Sequence, residues 1–234
     1  MRKIYSHFYV RSIVWIKRLG IWLLPKNSQY QKFVILCSAR TGSTWLHTLL
    51  NSHLNVYSHG EIKASHNNSE LFLEEFAFAK YPSFIRAVGL KVFYDLPDHK
   101  KILQDILQSD IKVILLTRQS LIEQFTSLKK ATVSNQWSDT RGSRTWQLKL
   151  DVDEYTSFKK NSEAELDSLK ESLTNKEVFS ILYEDLVAQQ AVILDELQKF
   201  LGVTPKKLRS LLEKQSSTSI SLQIENWEEI KNQL

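Results

Sequence analysis

The sequence predicts an α/β domain with a central, mainly parallel sheet flanked by helices in three layers. Three observations predict it. Short, nearly all-apolar runs recur at 33–37 (FVILC), 88–93 (VGLKVF), 112–117 (KVILLT) and 178–183 (VFSILY). Segments with helical spacing separate and follow them. The first run leads through a glycine-containing loop directly into a helix. A run that is apolar at successive positions fits a strand buried on both faces, as in a parallel sheet. Strands that alternate with helices imply crossover connections.

The elements follow in order. Residues 8–24, FYVRSIVWIKRLGIWLL, form a basic amphipathic arm. Arg11, Lys17 and Arg18 interrupt its apolar run, so it lacks the roughly twenty uncharged residues that a spanning helix needs. On a helical wheel Lys3, His7, Arg11 and Arg18 share a face, and Ile13, Trp15, Ile16, Leu19, Leu23 and Leu24 fill much of the rest. Two readings fit: a helix packed on the domain, or contact of residues 1–24 with a membrane surface. The arm, 1–30, precedes a catalytic domain at 31–234. TWLHTLLNS is the first core helix, and Leu121–Ala131 forms another behind the third strand. LVAQQAVILDELQKFL is a helix stopped by Gly202, and Pro205 is placed to open a further short one. Between 134 and 175 the chain is polar, with a helix in EAELDSLKESL.

A chain of 234 residues, 42% hydrophobic, builds one substantial core. The formal charge of +5 is modest but unevenly spread. Arg2, Lys3, Arg11, Lys17, Arg18, Lys26, Lys32 and Arg40 all precede the first acidic residue, Glu61. Because the basic start is amphipathic, it suits a membrane or a core rather than nucleic acid. Cys37 is the sole cysteine, which excludes an internal disulfide and cysteine-rich zinc sites and fits a reducing, cytoplasmic compartment.

The chemistry is concentrated in Ser38–Thr44. Ligands of open parallel sheets bind beyond the carboxyl ends of the strands. This loop lies at such an end and opens a helix, whose first amides and dipole attract an anion. Gly42 permits close approach, Ser43 and Thr44 add hydroxyls, and Arg40 adds a charge. The loop is P-loop-like without being a Walker loop. Its last residues are Gly42-Ser43-Thr44, with no lysine before the hydroxyl, and Cys37 stands where the earlier glycine belongs. The plainer reading of these residues is a capped helix start with a stray arginine.

SARTGSTWL resembles the 5′-phosphosulfate-binding loop of sulfotransferases that use 3′-phosphoadenylyl sulfate (PAPS). It is most similar to the bacterial carbohydrate branch, which includes the trehalose and nodulation-factor sulfotransferases. The resemblance implies that Arg40, Thr41, Gly42, Ser43 and Thr44 hold the 5′-phosphosulfate. LLTRQSLIEQFTSLKKA resembles the family's second motif, whose arginine and helical serine bind the 3′-phosphate. It implies Arg118 with Ser127, nine residues on, or Thr126 at a spacing of eight; the bacterial branch favours Ser127. Ser120 stands where the family has Asn. GLKVFYD, ILYEDLV, FLGV, KQSS and IENWEEI resemble further family segments, so the likeness runs from Phe33 to the end. It implies PAPS as co-substrate, no metal, and a carbohydrate or glycolipid acceptor.

A hydroxyl acceptor needs a base. Glu61, His59 and Lys91 fall near the ligand edge, and His53 at the end of the first helix reads as structural. The resemblance selects Glu61, because trehalose-type members carry a catalytic glutamate in a similar G-E segment. His59 is the alternative base, Lys91 a group that steadies charge, and Arg40 a donor to the leaving phosphate. Trp137 resembles a tryptophan on the family's substrate side. A P-loop kinase and a non-catalytic nucleotide-binding module are the competing readings.

Overall fold

The computed structural model describes residues 2–61, 73, 77–135, 147–210, 212 and 219–233, with side chains from residue 9 onward. Trp137 and the KQSS segment at 214–217 lie outside the described residues.

The chain opens with helix α1 (Arg2–Leu23) and the short strand β1 (Lys26–Asn27), and then enters β2 (Gln31–Cys37). Next come α2 (Ser43–Asn51), β3 (Val56–Glu61), β4 (Tyr81–Pro82), β5 (Ala87–Phe93), α3 (Lys100–Gln108) and β6 (Lys112–Thr117). The second half holds α4 (Leu121–Ser134), α5 (Val152–Ser172), β7 (Val178–Leu182), α6 (Tyr183–Ala188), α7 (Gln190–Phe200) and α8 (Trp227–Ile230). β1 and β4 form a small antiparallel pair. The other five strands make one sheet in the order β3-β5-β2-β6-β7, with every pairing parallel.

Burial explains the apolar runs. Alternate residues of the central strands supply the two faces of the sheet. Phe33, Ile35, Cys37, Ile114 and Leu116 pack beneath Leu46, Leu49 and Leu50 of α2 and Leu194 and Leu197 of α7. Val34, Leu36, Leu90, Val92, Val113 and Leu115 pack against Ile102 and Ile106 of α3 and Leu169 of α5. These are the three expected layers. A third cluster joins Ile122 and Phe125 of α4, Tyr155 of α5, and the C-terminal Ile224 and Ile230. Since β2 leads to a helix on one face and β5 to a helix on the other, the chain parts at their carboxyl ends and leaves a crevice there.

Two local expectations differ from the structure, and one strand was not expected. The helix expected across 186–201 is two helices, because the backbone at Gln189 turns out of the helical region (φ −125°, ψ 37°). Pro205 opens no helix; residues 204–210 run as irregular chain along α2, tied by the Arg209 amide to Ser52 Oγ at 2.8 Å. VYSHGE forms an edge strand that shows no apolar run, since only alternate positions are buried.

α1 packs on the domain through Val10, Ile13 and Lys17. Gly20 lies so close to Phe84 that a Cβ there would sit 2.6 Å from its ring. Lys17 is the unexpected member. Its ammonium donates to the carbonyls of Asn51 and Val56 at 2.7 Å each and to that of His53 at 3.3 Å. It thus satisfies the last carbonyl of α2 and two carbonyls of the turn into β3. Burial pushes Lys17 down to about 7. No helix among the described residues is long and apolar enough to cross a membrane.

Candidate active site

The loop after β2 is held in an unusual conformation by buried contacts. Arg40 takes a left-handed φ of 64° and Gly42 one of 84°. A non-glycine residue held there costs energy and marks a constrained, often functional, segment. The Thr41 hydroxyl donates to Ser38 O at 2.8 Å and closes the turn. Gln124 of α4, fully buried, donates to Ser38 Oγ at 2.8 Å and to Ala39 O at 2.7 Å. Asp95, just past β5, accepts the Ala39 amide. Gly42 sits where a Cβ would lie 2.5 Å from the Tyr183 ring.

These contacts divide the loop residues by role. Thr41 is buried and its hydroxyl is already committed. Ser43 is buried and hydrogen-bonds the Cys37 thiol. Thr44 is exposed. The N-cap of α2 is Gly42, which offers no capping side chain to the amides of the first turn. Such a turn can hold an anion.

The second motif meets the first. Arg118, at the end of β6, donates through Nη1 to Arg40 O at 3.1 Å. Arg40 Nε donates to Ser127 Oγ at 2.9 Å. The structure therefore brings Arg40, Arg118 and Ser127 together. Burial, and then the neighbouring Arg118 charge, pull the Arg40 guanidinium below its ordinary value. Thr126 points elsewhere: it is buried, and its hydroxyl returns to Ile122 O at 2.8 Å within α4. Around Arg118 stand groups that sequence reasoning did not single out. Glu123 accepts from Nη2 at 2.5 Å, Glu184 lies 3.7 Å from Nε, and the Tyr183 ring lies 4.8 Å from the guanidinium carbon. Arg118 Nε is buried without a hydrogen-bond partner. Ser120 caps α4 by accepting from the Glu123 amide. Tyr183 and Glu184 lie within ILYEDLV, a segment whose likeness was legible although its contacts were not.

The third part lies on β3 and β5. Ser58 pairs with Gly89, but the next registered pair is Glu61 with Lys91, so three residues of β3 advance against two of β5. This bulge rotates the end of the strand. Glu61 consequently faces the same side as Lys91 and α2, and the two side chains meet at 3.3 Å. Lys91 is 6% exposed and Glu61 48%. Lys91 Nζ also lies 4.6 Å from the Phe93 ring centre. His59, within the bulge, faces the other way, and its Nε2 shares a 2.6 Å hydrogen bond with Tyr81 Oη. The structure does not bring His59 to Lys91.

His47, a residue of α2 that sequence reasoning missed, lies beneath this corner. Asn51 Nδ2 donates to its Nε2 at 3.4 Å, which leaves Nδ1–H to donate to Ser58 Oγ at 2.8 Å. Burial, helped by the Lys91 and Lys17 charges, pushes His47 down to about 4. A Cβ on Gly60 (φ 76°) would lie 3.3 Å from the His47 ring. His53 is tied to Thr204 O at 3.0 Å, remote from this cluster.

A parallel sheet with an uncapped helix start, two converging arginines and a nearby ion-paired carboxylate defines a nucleotide-phosphate-binding group-transfer enzyme. Residues 31–222 match the family model described as "Sulfotransferase domain", and the chain belongs to that family. It is a PAPS-dependent sulfotransferase. Nodulation protein H of Rhizobium tropici is 28% identical over 223 residues, 86% of this chain and 88% of that protein. Nodulation protein H of Rhizobium meliloti (strain 1021) is 31% identical over 125 residues, 46% of this chain and 50% of that one. The sulfotransferase from Alicyclobacillus acidocaldarius shares the fold with a TM-score of 0.55 at 13% identity, covering 80% of this chain and 87% of that chain. The sulfotransferase domain from the curacin biosynthetic pathway does so with a TM-score of 0.51 at 16% identity, covering 83% and 82%.

Proposed function

We propose that the acceptor is a hydroxyl of a carbohydrate or glycolipid and that Glu61 removes its proton. The single observation that carries the site reading is the convergence of Arg40, Arg118 and Ser127. Two segments proposed to hold anions are joined by hydrogen bonds from Arg118 to Arg40 O, 78 residues away in sequence, and from Arg40 to Ser127. That convergence suits one nucleotide with phosphates at both ends. The amides of the α2 turn, with Arg40 and Thr44, face the 5′-phosphosulfate. Arg118 and Ser127 face the 3′-phosphate, where arginine's planar fork matches phosphate oxygens.

In the reaction the acceptor oxygen bonds to sulfur as the bond from sulfur to the 5′-phosphate oxygen breaks. Glu61 takes the hydroxyl proton, and Arg40 with the loop amides receives the charge on the departing phosphate. Lys91 fixes Glu61 from below and places a cation near the transferring group. His59 is spent on Tyr81 and takes a structural role in this reading. The likeness to Nodulation protein H supports the carbohydrate side of the reading. A cytoplasmic location belongs to the same reading.

The test is transfer from radiolabelled PAPS to a panel of glycans and glycolipids, with products weighed by mass spectrometry. Labelled sugar is expected. Glu61→Gln should lose about 100- to 10,000-fold in turnover, the usual range for a general base, while still binding adenosine 3′,5′-bisphosphate. Near-normal turnover in that variant refutes the base. Nucleotide binding with no transfer to any glycan refutes the acceptor class.

A further inference from the structure

The outward face of α1 has no covering partner among the described residues. Trp15 is 63% exposed and Trp22 79%, with Ile16, Leu19 and Leu23 beside them. At about 100° per residue these five side chains occupy one continuous sector. It lies opposite the buried Val10, Ile13 and Lys17. Arg11 and Arg18, both exposed, border the sector along one side. A helix normally turns its lysine outward and its tryptophans inward. Here the lysine caps α2 from beneath and the tryptophans face out.

The charge pattern selects the occupant. No acidic residue precedes Glu61, so α1 carries no negative charge to repel an anionic surface. Arg209 adds a cation on the opposite flank of the sector, its guanidinium 5.4 Å from the Tyr9 ring. Tryptophan at the polar boundary with arginine alongside is the pattern of helices that lie in a lipid interface. We infer that α1 docks flat on an anionic lipid bilayer, with Trp15, Leu19 and Trp22 in the headgroup–acyl boundary and Arg11 and Arg18 on lipid phosphates. This goes beyond the reading of the active site and does not depend on it.

The docking sets an orientation. The described contacts of the second half of α1 lie where the strands begin: Lys17 on Val56 O and Gly20 beside Phe84. The anion loop and Glu61 lie where β2 and β3 end. The catalytic edge therefore points away from the lipid, about 20 Å higher by the rise of β2, and a lipid-linked acceptor would have to present its sugar at that height.

The experiment is sedimentation of the full chain with vesicles of phosphatidylcholine alone or with about 30% phosphatidylglycerol. Binding to the mixed vesicles is expected, at least about tenfold tighter than to the neutral ones and weakened by salt. Trp15→Ser with Trp22→Ser should lower binding about tenfold or more. Arg11→Gln with Arg18→Gln should erase the anionic preference, about fivefold for each charge. All forms should bind adenosine 3′,5′-bisphosphate equally, on or off vesicles. Equal sedimentation of wild type and the tryptophan variant overturns the inference. So does a wild-type dimer that ignores vesicles and is split by the tryptophan substitutions, since the face then belongs to a second copy.

Discussion

Gly42→Ala tests how the anion loop is built. Two costs follow from the structure. The residue holds φ at 84°, and an alanine in the left-handed region costs about 1–2 kcal/mol. Its Cβ would also lie 2.5 Å from Tyr183 Cδ2, a contact that something must relieve. The ring has little freedom, being edge-on to Trp45 at 6.2 Å and beside the Arg118 guanidinium at 4.8 Å. Overpacking of this kind costs about 1–3 kcal/mol. Together they give about 2–5 kcal/mol, or a fall in Tm of about 4–20 °C for a chain of this size. Because the displaced ring carries Arg118 with it, affinity for adenosine 3′,5′-bisphosphate should fall about tenfold. Thermal unfolding reads the first effect and titration calorimetry the second. The double variant Gly42→Ala/Tyr183→Ala isolates the clash: the two substitutions should be less costly together than their separate penalties predict, by about 1–3 kcal/mol. Additive penalties, or a Gly42→Ala protein as stable as wild type, would refute the packing argument.

Three further outcomes are expected. Ser127→Ala should weaken adenosine 3′,5′-bisphosphate binding about fivefold, the worth of one hydrogen bond, whereas Thr126→Val should leave it within about twofold; comparable losses in calorimetry would reverse the assignment of the two hydroxyls. His47 titrates at about 4 in the folded chain against 6.5 as an ordinary imidazole. The unfolded chain therefore takes the proton first, and stability present above pH 6.5 is lost as pH falls towards 4, by up to about 3 kcal/mol; denaturant melts of His47→Gln should show a flatter profile across that window. Burial pushes the Cys37 thiol up to about 12, so a thiol reagent near neutral pH should label it only as fast as the protein opens.

The sequence exposes what depends on local pattern. β2 and β6 are legible because a strand covered on both faces must be apolar at nearly every position. The RTGST loop is legible as a strand-to-helix turn because hydroxyls and a glycine follow an apolar run and precede a helical one. Contacts set by topology are not legible. Gln124 clamps Ser38 from 86 residues away and Tyr183 lies under Gly42, and only the β2–β6–β7 adjacency brings them there. β3 was hidden because an edge strand needs one apolar face only, and in VYSHGE small residues supply much of it. Lys17 was misleading in a different way. A wheel counts lysine as a polar-face residue, yet three carbonyls between the end of α2 and the start of β3 accept its N–H groups in the interior.

The proposed choice of Glu61 over His59 turns on a single backbone irregularity. In an unbroken strand, side chains two apart share a face. His59 and Glu61 would then lie together, and as the pleat runs both would point toward Tyr57 and Tyr81, away from α2. Lys91 and Ile35 are registered on the α2 side, so neither candidate would reach the lysine. The extra residue between Ser58 and Glu61 breaks that parity. Gly60 makes it affordable, with a left-handed φ of 76° and no side chain to press on His47. His59 is left on the aromatic side with its nitrogen committed to Tyr81, and Glu61 crosses to the side that holds Lys91 and the anion loop. The G-E pair is thus a geometric device: the glycine turns the strand, and the turn delivers the carboxylate.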